Sequence, residues 1–176
     1  MIKDLVSIIM PSWNTSEYIG QSIQSIIDQT YKNWELIIVD DCSTDCTNKV
    51  VGEFNDSRIK YFKNNENIGA ALTRNKALRM AKGEWIAFLD SDDLWNPLKL
   101  EKQLKFMIEN NIYFSYHNYE KIDENSKPIG ILVTGPKIVT QRKMYNYGYP
   151  GCLTFMYSAK RMGMVKKKNL KQIKNS

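Results

Sequence analysis

Three apolar runs, at residues 5–10, 34–39 and 85–89, are each too short for a helix, and each stops on a polar cluster. Such runs read as buried strands, and the segments between them carry helical spacing. Tyr18, Ile19, Ser22, Ile23, Ile26 and Ile27 recur on one helical face after the N-cap candidates Asn14, Thr15 and Ser16. Ser43, Thr44 and Asp45 can cap a second helix running to about Phe54; residues 58–62 form a short strand, and 70–81 are rich in strong helix formers. A further helix opens near Pro97 and runs to about Asn110, with strands expected over 112–119 and 129–133. Strand and helix alternate from the start. The pattern predicts an α/β fold with a Rossmann-like, mostly parallel sheet and helices on both faces.

In sheets of this kind ligands bind at the carboxyl ends of the strands, so the clusters at 11–14, 40–43 and 90–93 converge on one edge. The last of them, Asp90-Ser91-Asp92-Asp93, is the most informative. Three carboxylates at the exit of a buried strand repel one another and lose hydration, and a positive partner between them relieves both costs. Hard divalent ions such as Mg²⁺ or Mn²⁺ take oxygen ligands and usually share them with substrate phosphates. A solvated acidic turn with an N-capping Asp ahead of Pro97 is the plain alternative.

A length of 176 residues fits one domain, and 43% apolar with 25% charged residues is ordinary for a globular protein. No apolar stretch approaches the roughly 20 residues of a membrane span. Met1-Ile2-Lys3-Asp4 leads straight into a strand pattern, so no signal peptide is expected. Cys42, Cys46 and Cys152 are odd in number without C-x-x-C spacing, which suits reduced structural thiols in the cytoplasm. The net charge of +6 is not evenly spread: seven of the 25 basic residues lie from Lys160 onward, where there is no acid. The other 18 face 19 acids, so the body is close to neutral and the tail is basic. Such a tail is either solvated or a peripheral contact with anionic lipid; no nucleic-acid partner is expected.

A nucleotide needs partners for its base, its ribose and its phosphates. Asp41 could accept the imide N–H of uracil, and the Trp13 ring could stack on the base. Asp90 could hydrogen-bond ribose hydroxyls, Asp92 is best placed to hold a metal, and Arg74 could reach a phosphate with its forked guanidinium. The bland alternatives are core packing for Trp13, a helix cap for Asp41, a surface position for Arg74 and a structural role for His117.

These residues resemble a known family. The stretches 6–14, 22–31, 34–45, 67–75 and 83–93 are similar, in the same order, to the motifs of family 2 inverting glycosyltransferases of the GT-A fold, and the resemblance covers about residues 4–165. It implies a GT-A domain over 1–165, with a nucleotide-sugar half at 1–95 and an acceptor-side half at 96–165, followed by the basic tail at 166–176. It also implies a nucleotide-diphospho-sugar donor, a glycan or lipid-linked acceptor, Mn²⁺ or Mg²⁺ as cofactor, and inverting transfer in surface polysaccharide synthesis at the cytoplasmic face. Carried over by position, Pro11, Trp13, Asn14, Glu17 and Asp41 line the nucleotide pocket and Arg74 lies near the diphosphate. Asp90, Ser91 and Asp92 form the DxD motif, with Asp92 and Asp90 on the metal.

Inversion by direct displacement requires a carboxylate to take the acceptor's proton, and the family usually supplies it well after the DxD. Here Asp123 is the only Asp after Asp93, it falls in an apparent turn, and residues 125–176 contain no Asp or Glu. The general base is therefore expected to be missing, as if the chain were cut short before it. A catalytically incomplete nucleotide-sugar-binding fragment stays open as the alternative. A sugar-phosphate nucleotidyltransferase would favour a glycine-rich loop after the first strand, and a phospho-acceptor signalling domain would need acid at the first strand's end; Pro11-Ser12-Trp13-Asn14 supplies neither.

Overall fold

Val6, Ile8 and Met10 pack on one side of the first strand and Ile9 on the other, all without solvent exposure. A strand apolar on both faces belongs in the middle of a sheet. The computed structural model, which describes residues 1–138 and 151–164, places it there. β1 (Ile2–Ser12) lies between β2 (Trp34–Asp40) and β4 (Gly83–Phe88), both parallel to it, and β3 (Ile59–Lys63) extends the β2 side in parallel. Beyond β4 come β8 (Met156–Ser158), antiparallel to β4, and β5 (Phe114–Ser115), antiparallel to β8. The resulting order is β3-β2-β1-β4-β8-β5, while β6 (Tyr119–Ile122) and β7 (Pro128–Val133) pair as a separate antiparallel hairpin.

Both faces are covered, as the alternation requires. α1 (Ile19–Ile27), α2 (Thr47–Gly52) and α4 (Lys99–Glu109) bury Ile19, Ile23, Ile26, Val51, Leu100, Leu104 and Met107 on one face. α3 (Ala70–Met80) and the short α5 (Ala159–Met162) cover the other with Ala77, Leu78 and Ala159.

Three local expectations are corrected. The strand expected over 112–119 is broken after Ser115, because His117 bonds locally to the Asn118 carbonyl and the chain then leaves the main sheet for the hairpin. Asn14, Thr15 and Ser16 do not cap α1, whose N-cap position is Tyr18 without a side-chain bond. β8 was not expected; it pairs with β4 from some seventy residues away in sequence, beyond the reach of local patterning. The basic tail at 166–176 lies outside the described residues.

At the start of β2, Glu35 is 5% exposed yet carries a carboxylate in the sheet interior. Ser7 Oγ and the Lys82 backbone N–H donate to Oε1 at 2.6 and 2.7 Å, and Lys60 Nζ donates to Oε2 at 2.5 Å. Burial pushes its pKa up, but these donors, Lys60 first, outweigh burial and hold it below the usual carboxylate value. One side chain thus joins β1, β3 and the turn before β4. Ser7 Oγ also accepts from Gly83 N–H at 2.8 Å, which draws the two backbones so close that a Cβ on Gly83 would sit 2.5 Å from the Leu5 carbonyl oxygen.

Two outcomes are expected in urea unfolding. Gly83→Ala should destabilise by about 1–3 kcal/mol through forced backbone displacement, whereas Gly52→Ala, with nothing within 4 Å, should be neutral or stabilising by about 0.4–1 kcal/mol. Because the folded pKa of Glu35 is depressed, its contribution is present above the unfolded carboxylate value and is lost as pH falls through the folded one. Glu35→Gln should cost about 1.5–3 kcal/mol at neutral pH and flatten the acid limb of the stability profile. An unaltered acid limb would place the pH dependence elsewhere.

Candidate nucleotide-sugar site

β1, β2 and β4 run parallel and therefore end at one edge, where their exits wall a cleft of about 670 Å³. Pro11 and Ser12 are buried at the first exit, but Trp13 is 56% exposed at the rim. That excludes core packing for Trp13 and leaves a free aromatic face on the cleft. Asn14 has φ +51°, a left-handed conformation that Asn tolerates. Its N–H donates to Ser43 Oγ at 2.9 Å, and its Oδ1 accepts from Thr44 N–H at 2.8 Å. Thr15 N–H reaches Thr47 Oγ1, and Ser16 N–H reaches Asp45 Oδ2 at 3.0 Å. The cap candidates thus stitch the β1 exit to the β2 exit. Burial raises the Asp45 pKa, yet the Thr47 hydroxyl and the Ser16 and Thr47 backbone donors bring it down to about 2. Asn14 and the exposed Glu17 lie outside the cleft lining.

At the β2 exit two adjacent carboxylates are buried. Asp40 accepts from Ser43 N–H at 2.7 Å and from the Tyr61 hydroxyl. Asp41 Oδ1 accepts from Asn64 Nδ2 at 2.8 Å and Ile68 N–H at 2.9 Å, and Oδ2 accepts from Gly69 N–H at 2.7 Å. Burial opposes ionisation, but these donors hold its pKa below the ordinary value, so it is a carboxylate at neutral pH. Asp41 does not cap the helix that follows it; it binds the turn that leads into α3, whose N-cap position is Gly69. It lines the cleft while pinning the turn at 64–69, and Gly69 at the head of α3 has φ +86°. Asn64, Thr73 and Gly69, which complete this arrangement, were not singled out from the sequence; Gly69 in its turn was the available signal.

α3, so pinned, presents Arg74 to the third exit. Its Nη2 lies 2.5 Å from Asp90 Oδ1, its side chain is 16% exposed, and its buried Nε has no hydrogen-bond partner among the described residues. Arg74 is therefore not a surface residue. Burial disfavours its charge, and Asp90 more than restores it. Asp90, Ser91 and Asp92 line the cleft with Arg74; Asp92 is exposed and makes no hydrogen bond among the described residues. Asp93 beside them is half-buried, and burial together with the charges of Asp90 and Asp92, against Arg74, pushes its pKa up to about 7. One guanidinium does not balance three carboxylates. That imbalance suits a divalent cation, for which Asp92 and the second oxygen of Asp90 are the available donors. Among the described residues no three acidic, His or Cys side chains form a ready cation cage, so most ligands would come from phosphate and water, as Mg²⁺ prefers.

Asp92 and Asp93 also border a neighbouring hollow of about 460 Å³ walled by the β6–β7 hairpin with Glu120, Asp123 and Glu124. Asp123 Oδ1 is committed to its own turn, accepting from Asn125 and Lys127 N–H at 2.9 and 2.8 Å.

The glycosyl transferase family 2 profile matches residues 7–164. The putative teichuronic acid biosynthesis glycosyltransferase TuaG of Bacillus subtilis is 41% identical over 96% of this chain and 68% of its own length. The Escherichia coli UDP-Glc:alpha-D-GlcNAc-diphosphoundecaprenol beta-1,3-glucosyltransferase WfgD is 52% identical over 85% of this chain, which spans 58% of that protein. S. aureus TarS 1-349 superposes with a TM-score of 0.68 at 25% identity, over 88% of this chain and 47% of that one. In its complex with UDP-GlcNAc the TM-score is 0.60 at 34% identity, over 62% of this chain and 32% of that one. The mannosyltransferase PcManGT of Pyrobaculum calidifontis, in complex with GDP-Man and Mn2+, shares the fold at a TM-score of 0.66 and 21% identity, over 90% of this chain and 46% of that one. The sheet order and these superpositions agree with the expected GT-A arrangement. With the exits of all three cluster-bearing strands and the returning β8 inside the matched span, the chain belongs to glycosyl transferase family 2.

Proposed function

We propose that the cleft binds a UDP-sugar and that the protein transfers the hexose, with inversion, to a lipid-linked glycan acceptor in surface polysaccharide synthesis. The observation that carries the reading is the convergence, in one cleft, of a free Trp13 face, the Arg74–Asp90 pair and the unpartnered Asp92 carboxylate. The relatives named as UDP-Glc glucosyltransferases acting on a diphosphoundecaprenol-linked sugar support both donor and acceptor. Trp13 stacks on the base; base–aromatic stacking is worth about 1–3 kcal/mol. Asp41 contributes acceptor capacity at the base and holds α3 in place. Pro11 and Ser91 shape the walls, and Asn14 braces the loop beside Trp13 from outside the cleft through Ser43 and Thr44, while Glu17 lies exposed nearby. Arg74 lies by the diphosphate, and Asp92 and Asp90 would hold Mn²⁺ or Mg²⁺, which would supply charge neutralisation for a departing diphosphate.

The nucleotide half spans 1–95 and the acceptor side 96–165, with the basic tail at 166–176 as a peripheral contact at the cytoplasmic face of the membrane. A second reading, donor binding with poor turnover, is favoured by one observation: Asp123 is bound up in its turn and no acid follows Glu124. A general base typically contributes about 10²–10⁴-fold.

Titration calorimetry and thermal shift with UDP and UDP-glucose, each with and without Mn²⁺, test both readings. Binding should raise the melting temperature, Mn²⁺ should strengthen it, and Asp92→Asn should abolish the Mn²⁺-dependent part with the fold intact. Nucleotide affinity indifferent to Mn²⁺, to EDTA and to Asp92→Asn would refute the metal assignment. Transfer to diphospholipid-linked sugars should stay near background on the second reading; robust transfer would remove it and locate a base at or before Glu124.

A further inference from the structure

A cavity of about 590 Å³ lies between α4 and the segment joining β5 to β6, outside the donor cleft. Three polar side chains on its lining each carry a buried atom with no hydrogen-bond partner among the described residues: Lys99 Nζ, Gln103 Oε1 and His117 Nε2. Lys99 is 7% exposed and opens α4, where the helix dipole already places positive charge. Among the described residues its compensation is the Trp95 ring, 3.8 Å from the ammonium. No carboxylate among the described residues pairs with it, although exposed Glu120 stands on the lining together with Lys102. An unpaired ammonium away from water is costly, and burial drives the Lys99 pKa well down.

The other two groups define what a ligand must offer. Gln103 spends its amide N–H groups on the Ser115 and Thr154 carbonyls and the Ser115 hydroxyl, at 3.0–3.2 Å, which leaves Oε1 needing a donor. His117 Nδ1 lies 2.7 Å from the Asn118 carbonyl oxygen. A carbonyl can only accept, so Nδ1 carries the hydrogen and Nε2 of the neutral ring also needs a donor. Burial, with Lys99 nearby, keeps that ring neutral. The unmet demand is thus one anion and two hydroxyl donors beside aromatic walls that include Phe106 and Tyr119. The cavity shares Leu94, Tyr119, Glu120 and Leu153 with the hollow bordered by Asp92 and Asp93, so the two lie side by side.

Resting on the reading above, we propose that this cavity seats the phosphate end of the acceptor, a sugar linked through its anomeric phosphate, with Lys99 on the phosphate and Gln103 and His117 on sugar hydroxyls. The acceptor sugar then occupies the cavity beside Lys99, with its far side facing the hollow that Asp92 borders. Calorimetric titration of a hexose 1-phosphate into the whole chain tests this, with UDP plus Mn²⁺ as the control for the donor cleft. Saturable binding by the unmodified protein is expected, weakened about tenfold or more in Lys99→Met and also weakened in His117→Ala, corresponding to loss of a charge-assisted bond. Without ligand, Lys99→Met should melt at or above the unmodified protein, because it removes an unpaired buried charge. No saturable hexose 1-phosphate binding while UDP still binds would overturn the inference and leave the donor reading standing. Equal affinity in Lys99→Met, or a large fall in its melting temperature, would also overturn it. Neutral hexose binding as tightly would remove the anion, and tighter binding of a hexuronate would remove the phosphate. Failure of UDP itself to bind would instead sink the proposed function.

Discussion

β2 carries buried carboxylates at both ends, and the rest of the structure hangs on them. At its start Glu35 binds Ser7, Lys60 and the Lys82 backbone, joining β1, β3 and the approach to β4. At its exit Asp40 holds Tyr61, and Asp41 holds Asn64 and the backbone of Ile68 and Gly69. Each buried carboxylate is costly to desolvate, and each is offset only because several donors meet it at once. The consequence reaches beyond stability. With the head of α3 pinned to Asp41, Arg74 is brought over Asp90, and the electrostatics of the cleft follow from that placement.

The cleft is poised rather than balanced. Arg74 answers Asp90, Asp92 has no protein partner among the described residues, and Asp93 is pushed up to about 7 by burial and its two acidic neighbours. A protein group that merely closed a turn would not need such crowding; Asp123, which does close a turn, uses one oxygen for two backbone donors. The contrast separates structural acids from acids left available for a ligand.

Much of this was legible in the sequence, for a definite reason. Parallel strands buried on both faces read as short unbroken apolar runs, and their exits are where polar residues must gather, so β1, β2, β4 and the clusters after them could be located. Arg74, Asp90 and Asp92 fell into place with them. What was not legible depends on contacts distant in sequence. Glu35 looks like an ordinary polar residue in an apolar strand until Ser7, Lys60 and Lys82 surround it. β8 is three residues long and is a strand only because β4 and β5 lie on either side. Asn14, Thr15 and Ser16 carry a cap-like pattern, but the nearer partners are Ser43, Thr44, Asp45 and Thr47 across the edge, and tertiary bonds displaced the local ones. Residues 112–119 keep an apolar pattern that His117 and Asn118 interrupt with a local bond.

The same donor arithmetic sets Lys99 apart from the other buried charges of the fold. Glu35, Asp40, Asp41 and Arg74 all have ionic or hydrogen-bonding partners, whereas Lys99 has an aromatic face and a helix N-terminus of its own sign. Nothing in the packing of α4 requires an ammonium there; an apolar side chain of similar length would fill the space against Trp95 without the desolvation cost. Stability given up at one position, beside two further buried groups without partners among the described residues, is the imbalance on which the proposed phosphate subsite rests. The cavity and the donor cleft have separate linings, and the hollow between them borders both, sharing Asp92 with the cleft and Leu94, Tyr119, Glu120 and Leu153 with the cavity. On the proposed assignments that adjacency would set donor and acceptor on either side of Asp92.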